Sequence, residues 1–215
     1  ITNGGDVEKC ALAPVTMKNI PGKNEENQTN DPINACCTEV TNQCFRNTNG
    51  LHNIDCPSPN KMVCKKLNMI PVEVICRNIA TGSLVRDTTL KEGMELNPCL
   101  VEFNLKNDER DDPLLTDDRV RLMGFDPHTF RRRATEMNWH FKEIFGKMDI
   151  DIVDFKLEYG FDTNGALYLA DEISPDSMRL WKRGTKERFD KDLFRKEEGD
   201  IVTAYKYILE NLRQL

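Results

Sequence analysis

An α+β fold, with an antiparallel sheet backed by helices and an irregular N-terminal part, is predicted by three features of this 215-residue chain. Several runs alternate apolar and polar residues as strands do. The turn-forming "DTNG" at 162–165 joins two of these runs. Two segments carry apolar residues at spacings of three and four, the period of a helix with one buried face.

Taken in order, residues 1–60 are rich in Asn, Thr, Gly, Pro and Cys and show little periodicity, and "GKNEENQTNDP" at 22–32 has the polar, turn-prone character of a loop. From residue 61 the pattern firms. "KMVCKKLNMIPVEVICRNIA" reads as two strand-like segments around Ile70-Pro71, the second being Val72 to Asn78, where β-branched residues alternate with Glu73 and Arg77. "TGSLVRD" reads as a turn. Leu100 to Leu105 reads as a further strand leading into an acidic loop. Asp126 can cap a helix that Pro127 opens, with Phe130, Ala134, Met137, Phe141, Ile144 and Phe145 as its buried stripe and Gly146 as its end. A second helix, Asp200 to Leu215, carries Ile201, Ala204, Tyr205, Ile208, Leu209 and Leu212 on one side.

The segments 153–161 and 166–173 on either side of "DTNG" predict an antiparallel hairpin. Val153, Phe155, Leu157 and Tyr159 face one way, and Asp154, Lys156 and Glu158 the other. With Phe161 opposite Ala166, Lys156 falls opposite Asp171 and Glu158 opposite Leu169. Glu158 and Asp171 are then diagonal neighbours that one hard cation could bridge. Two readings of this face stay open: a reaction surface, or a solvated sheet face carrying a weak Lys156–Asp171 pair. The charge-dense "DEISPDSMRLW" just beyond the strand suits binding.

Composition bounds the function. With 39% hydrophobic and 31% charged residues and a formal charge of −6, the chain reads as an ordinary globule and not as a nucleic-acid platform, which gathers Lys and Arg. The run Arg131-Arg132-Arg133 is expected on a solvated helix face. No apolar stretch approaches the roughly 20 residues that span a bilayer, and "ITN" begins no signal peptide, so a cytoplasmic protein is expected. Eight cysteines crowd into the first half, which a disulfide framework in a secreted protein would also produce. The cysteine-free second half, with its apolar core, favours reduced thiols. No Cys-x-x-Cys pair occurs, so a zinc site is weakly supported. Asn27-Gln28-Thr29 fits a glycosylation acceptor, a triplet common by chance.

"DFKLEYG" followed by "LADEISPDSMRLW" closely resembles the signature of the SAICAR synthetase family. "KKLNMIPVEVICRNIATGSLVRD", "LVEFNLKNDERDDPLL" and "DKDLFRKEEGDIVTAY" agree with that family in order and spacing, over roughly residues 61–210. The resemblance implies a ligase that uses ATP and magnesium to join L-aspartate to carboxyaminoimidazole ribonucleotide in purine biosynthesis. It implies small-molecule partners only and leaves a homo-oligomer open.

By resemblance, Arg77, Ser83 and Arg179 hold the 5′-phosphate of the ribonucleotide, as a guanidinium fork beside a hydroxyl on a Gly turn can. Glu158 and Asp171 hold magnesium. Lys106 and Lys156 neutralise phosphate or acyl-phosphate charge. Asp112, Asp154 and Asp176 accept hydrogen bonds from imidazole amine, ribose or incoming amine, and Asp176 is counted with the two lysines as catalytic. Lys65, Lys66 and Leu67 match the hinge that receives adenine, with Met69 as an apolar wall. The N-terminal part departs from the family: "ITNGGD" and "IPGK" resemble stretches of it, but the phosphate-covering Gly-Lys-x-Lys hairpin is missing from this chain. The expected division is therefore a reduced nucleotide-binding lobe at 1–67 and a catalytic α+β domain at 68–215. A non-catalytic relative that has lost its ATP phosphate grip is the alternative.

Overall fold

The computed structural model describes residues 7–11, 53–58, 61–171, 173–190, 192–195 and 199–215, with backbone alone at 7–11, 53–58, 61–64 and 194–195. The 22–32 loop, the Asn27 triplet, "ITNGGD", "IPGK" and Glu172 lie outside the described residues.

Strands β1 (Val7–Ala11), β2 (Asn53–Ser58) and β3 (Lys61–Lys65) form a small antiparallel sheet in the order β1–β3–β2. After residues 66–67 the chain enters a second sheet through β4 (Asn68–Met69) and β5 (Val72–Ile79). The expected first strand is thus split between two sheets. A short helix α1 (Ser83–Arg86) stands where a turn is expected. Strand β6 (Glu95–Leu105) begins five residues earlier than the alternation suggests, and β7 (Leu114–Leu115) follows. Helices α2 (Asp117–Leu122) and α3 (Pro127–Gly146) lead to the long β8 (Ile150–Phe161), β9 (Leu167–Ala170) and β10 (Met178–Lys182). The last described elements are α4 (Asp192–Arg195) and α5 (Ile201–Leu212). The sheet runs β10–β8–β5–β6–β7, every pair antiparallel, with β4 and β9 also paired to β8.

The helices form as their sequence dictates. The Asp126 carboxylate accepts from the backbone N–H groups of His128 and Thr129 at 3.0 and 3.2 Å, which satisfies donors that the first turn of α3 leaves open. Phe130, Ala134, Met137, Phe141 and Phe145 are buried, and Ile144 packs partly against them. The Phe141 ring meets Phe155 edge-on at 4.8 Å, and Phe130 stacks on Tyr159 at 5.2 Å, so α3 covers the apolar face of β8. Asp200 caps α5 through Val202 N–H at 3.0 Å; this helix stops at Leu212, short of the expected Leu215. Among the described residues no helix is long and apolar enough to cross a membrane.

Two expectations need correction. The arginine run is largely a fastening. Arg131 pairs with Asp117 at 2.5 Å and lies over the Phe103 ring at 4.7 Å, and Arg133 donates to the Leu167 carbonyl at 3.2 Å. Only Arg132, paired with Glu136 one turn on, sits exposed as expected. The hairpin register is shifted by one residue: Phe161 lies opposite Leu167 and Glu158 opposite Ala170. The cause is the loop. Asp162 N–H bonds the Ala166 carbonyl at 3.0 Å, and the Asp162 carboxylate accepts from Asn164 and Ala166 N–H at 2.9 Å each. Three residues therefore turn the chain, with Gly165 at φ +79°, instead of the four the predicted pairing requires.

Cys76 and Cys99 are free thiols, as expected of reduced cysteines, and burial pushes the Cys76 thiol well above its ordinary range. The other six cysteines fall where side chains are not described.

Candidate active site

Antiparallel register assembles the site across strands. Arg179 on β10 lies opposite Asp154 on β8, and Asp154 lies opposite Arg77 on β5, so three charged residues form one row across three neighbouring strands. Alternation puts Asp154, Lys156 and Glu158 on the same face, together with Glu73 and Arg77 of β5 and Glu102 and Asn104 of β6, since Glu102 lies opposite Ile75 and Asn104 opposite Glu73.

This face is not a solvated one. Arg77, Asp154 and Glu158 are 3%, 4% and 2% exposed, as buried as the Phe155 side of the same strand. The Asp154 carboxylate takes one hydrogen bond from each arginine on Oδ2, from Arg179 Nη1 at 2.8 Å and Arg77 Nη1 at 3.1 Å. Burial pushes the Asp154 carboxyl above the ordinary range, while Arg179 and Arg77 pull against it. Arg77 also donates from Nη2 to Ser83 Oγ at 2.8 Å and from Nε to Glu102 at 2.6 Å, and Arg179 Nε donates to Asp192 at 2.9 Å. Ser83 is presented by the turn at Gly82, whose φ of +58° and close approach to Arg179 suit glycine: a Cβ there would stand 3.0 Å from Arg179 Nη2.

Further along β8 lies a second cluster. Lys156 Nζ contacts Glu158 at 2.5 Å, Glu73 at 3.0 Å and Asp171 at 3.4 Å, and Lys106 Nζ reaches both Glu158 oxygens at 2.6 and 2.7 Å. Burial opposes ionisation of Glu158, but the charges of Lys156 and Lys106 outweigh it and hold its carboxyl below the usual range. Burial likewise works against the Lys156 ammonium, and Glu158 leads the charges that nonetheless raise it.

Glu158 and Asp171 thus share one ammonium, although not through the predicted register. In the observed pairing Asp171 would turn toward the core face. Strand β9 instead ends at Ala170, and Asp171 takes a left-handed φ of +64° that leaves the ladder. These two carboxylates, one buried and one 37% exposed, fit a magnesium ion, which is commonly held by one or two carboxylates with waters and substrate phosphates completing its shell.

A cleft of about 430 Å³ opens beside the row, with Arg77, Ser83, Asp112, Glu73, Glu102 and Asn104 in its wall. Asp112 is held at the lip by a left-handed turn, its carboxylate accepting from Asn107 N–H at 2.7 Å. Asp176 lies in the Ser174–Ser177 turn, which is pinned to the cluster because Lys156 N–H donates to the Ser177 carbonyl at 2.9 Å. At the other end of β8, Leu67 and Asn68 pass so close to Gly160 that a Cβ there would meet Leu67 Cβ at 2.8 Å. Lys65 donates to the Tyr168 hydroxyl at 2.8 Å and caps its ring, Lys66 is exposed, and Met69 is 49% exposed.

The structure therefore gathers Arg77, Ser83, Asp154 and Arg179 in one group and Lys106, Lys156, Glu158 and Asp171 in the next. Lys65, Lys66, Leu67 and Met69 form a separate segment between the two sheets. The sequence reading missed Glu102, Asn104 and Asp192. The alternation of Glu102 and Asn104 with Val101 and Phe103 was a usable signal; nothing local marked Asp192.

Known proteins resemble this chain in sequence and in fold. A family model described as SAICAR synthetase matches residues 11–212. A phosphoribosylaminoimidazole-succinocarboxamide synthase of Nitratiruptor sp. is 41% identical over 169 residues, covering 76% of this chain and 71% of the relative. One from Synechocystis sp. is 46% identical over 165 residues, covering 73% and 62%. A solved SAICAR synthetase (Type-2) in complex with ADP superposes with a TM-score of 0.79 at 36% identity, covering 86% of this chain and 81% of that one. The matched segment thus spans about two thirds of the length of the two sequence relatives.

Proposed function

The chain belongs to the SAICAR synthetase family, and from that premise we propose that it is the ATP-dependent ligase that joins L-aspartate to carboxyaminoimidazole ribonucleotide. The observation that carries this reading is the row Arg179–Asp154–Arg77 set beside Lys106–Glu158–Lys156 on one buried sheet face, an anion grip adjoining a site for a charged nucleotide.

In this reading Arg77 and Ser83 in the cleft wall, with Arg179 beside them, take the ribonucleotide phosphate, and Asp112, also in the wall, accepts from the ribose or the amine. Asp154 serves from behind, as the shared partner that aims both guanidiniums. The relative solved with ADP supports nucleotide binding, and the motif resemblance assigns the adenine to residues 65–67 and Met69. Glu158 and Asp171 would hold magnesium, which supplies charge neutralisation of the nucleotide phosphates. Lys106 and Lys156, released from part of their hold on Glu158, face the charge that develops as the substrate carboxyl is activated. Asp176, on the turn beside Lys156, would receive the incoming amine. Side chains do little covalent work in such chemistry, so positioning and electrostatics carry the rate. The passage from one sheet to the other at residues 66–67 supports a division into a lobe at 1–67 and a domain at 68–215, and purine biosynthesis suits a cytoplasmic protein.

A coupled ADP-release assay tests the reading. ADP should form only when ribonucleotide and aspartate are both present; ADP formed without either substrate would overturn it. Glu158→Gln keeps the shape of the buried side chain, so the fold should survive while magnesium-dependent turnover falls by about a hundredfold or more. Unchanged turnover would remove Glu158 from the site.

A further inference from the structure

We propose that Glu102 and Asp192 are positioning residues that hold the Arg77 and Arg179 guanidiniums as a preformed cradle for a phosphate monoester. The proposal rests on the ribonucleotide reading above.

The two arginines are held alike. Each gives Nη1 to the same oxygen of Asp154, and each gives Nε to a carboxylate of its own: Arg77 to Glu102 at 2.6 Å and Arg179 to Asp192 at 2.9 Å. Two fixed hydrogen bonds on different nitrogens set the plane of a guanidinium. Nη2 of each remains: that of Arg77 meets Ser83 Oγ, and the Arg179 guanidinium lies against Gly82. Both guanidiniums thereby meet the same Gly82-Ser83 turn, Arg77 through its Nη2 edge and Arg179 packed against Gly82.

The supporting carboxylates are themselves fixed. Glu102 stands on β6, opposite Ile75 and on the Arg77 face of the sheet. Asp192 is buried and opens α4, and its backbone N–H donates to Asp190 at 2.8 Å. The other oxygen of Asp190 accepts from Leu180 N–H at 2.6 Å, which ties this segment to β10 one residue beyond Arg179.

Charge count argues for orientation over attraction. Among the described residues three carboxylates accept from the two guanidiniums, more negative charge than a site built on attraction alone would carry. Ordering two long side chains during folding, instead of on binding, removes that entropic cost from the binding step.

The test separates geometry from charge in the whole 215-residue chain, using calorimetric titration with ribose 5-phosphate and with ribose as the uncharged control. Asp192→Asn and Glu102→Gln keep an acceptor in place and remove a charge; their affinities should stay within about threefold of wild type. Asp192→Glu and Glu102→Asp keep the charge and displace the acceptor; they should bind roughly tenfold more weakly. In turnover the same factor should appear in the ribonucleotide KM with kcat little changed, and ADP affinity should be unaltered in all four. The displaced-acceptor pair binding like wild type, or the amide pair binding as poorly as the displaced pair, would overturn the positioning role alone. Wild-type protein that binds ribose 5-phosphate no better than ribose would overturn the phosphate reading itself, and the inference with it.

Discussion

Strand β8 has two buried faces that differ in everything except burial. On one, Phe155, Leu157 and Tyr159 are 1–3% exposed, and Phe155 and Tyr159 pack on the rings of α3; on the other, Asp154 and Glu158 are 4% and 2% exposed and lie among arginines and lysines. The apolar face is held by contacts that are individually weak and indifferent to direction, so neighbours can shift a little at small cost. The charged face is held by a few directional pairs, each of which becomes expensive if its partner is lost. Depth of burial therefore does not tell core from site in this protein. The chemistry of what fills the space does.

The sharpest way to break this contrast is a pair of truncations at adjacent positions. Phe155→Ala should cost about 3–5 kcal/mol by emptying the space beside Phe141. Asp154→Ala should cost a comparable 3–5 kcal/mol or so by leaving the buried Arg77 and the half-buried Arg179 guanidiniums without their shared partner. Urea denaturation measures both. The two should part in ligand titration: folded Phe155→Ala keeps its affinity for ribose 5-phosphate, and Asp154→Ala loses it. Equal retention by both would mean the charged face is scaffold.

Acid sharpens the comparison with a smaller effect. The Glu158 carboxyl is held below its ordinary value of 4.5 in the folded chain, so the unfolded chain binds the proton more readily. That stabilisation is fully present above about pH 4.5 and is lost as pH falls through the folded value. Denaturation midpoints followed from pH 7 to pH 3 should thus fall more steeply for wild type than for Glu158→Gln, and parallel curves would count against the paired carboxylate. Asp190 has the opposite sign: burial raises its carboxyl to about 6, so its contribution is greatest below its ordinary value of 3.8 and declines as pH rises toward 6.

The smallest effect belongs to the helix surface. Arg132→Ala removes an exposed pair with Glu136 and should change stability by less than about 0.5 kcal/mol. Arg131→Ala should cost clearly more, because the side chain bonds Asp117 and covers the Phe103 ring. Thermal unfolding of the two variants side by side reads that difference, and equal midpoints would return Arg131 to the solvated class.

Much of the fold was legible in the sequence because the signals were local. Asp126-Pro127 announces a helix start, the stripe from Phe130 to Phe145 its buried side, and the alternation from Val153 to Tyr159 a strand with two unlike faces. "DTNG" announces the turn. The candidate site residues were legible through motif resemblance, and Arg77, Ser83, Asp154, Arg179, Glu158, Asp171, Lys106 and Lys156 do stand together. Tertiary structure alone decided the rest. Whether the loop closes after three residues or four depends on one side chain bonding the backbone at Asp162, and that choice moved the register. Which strands flank β8 decided that Asp154 has an arginine on either side, and the return of the chain near residue 190 brought Asp192 to Arg179. Periodicity reports which way a side chain points along its own strand. It carries no information about which distant segment will lie across from it, and in this protein that neighbour makes the difference between a charge facing water and one built into a site.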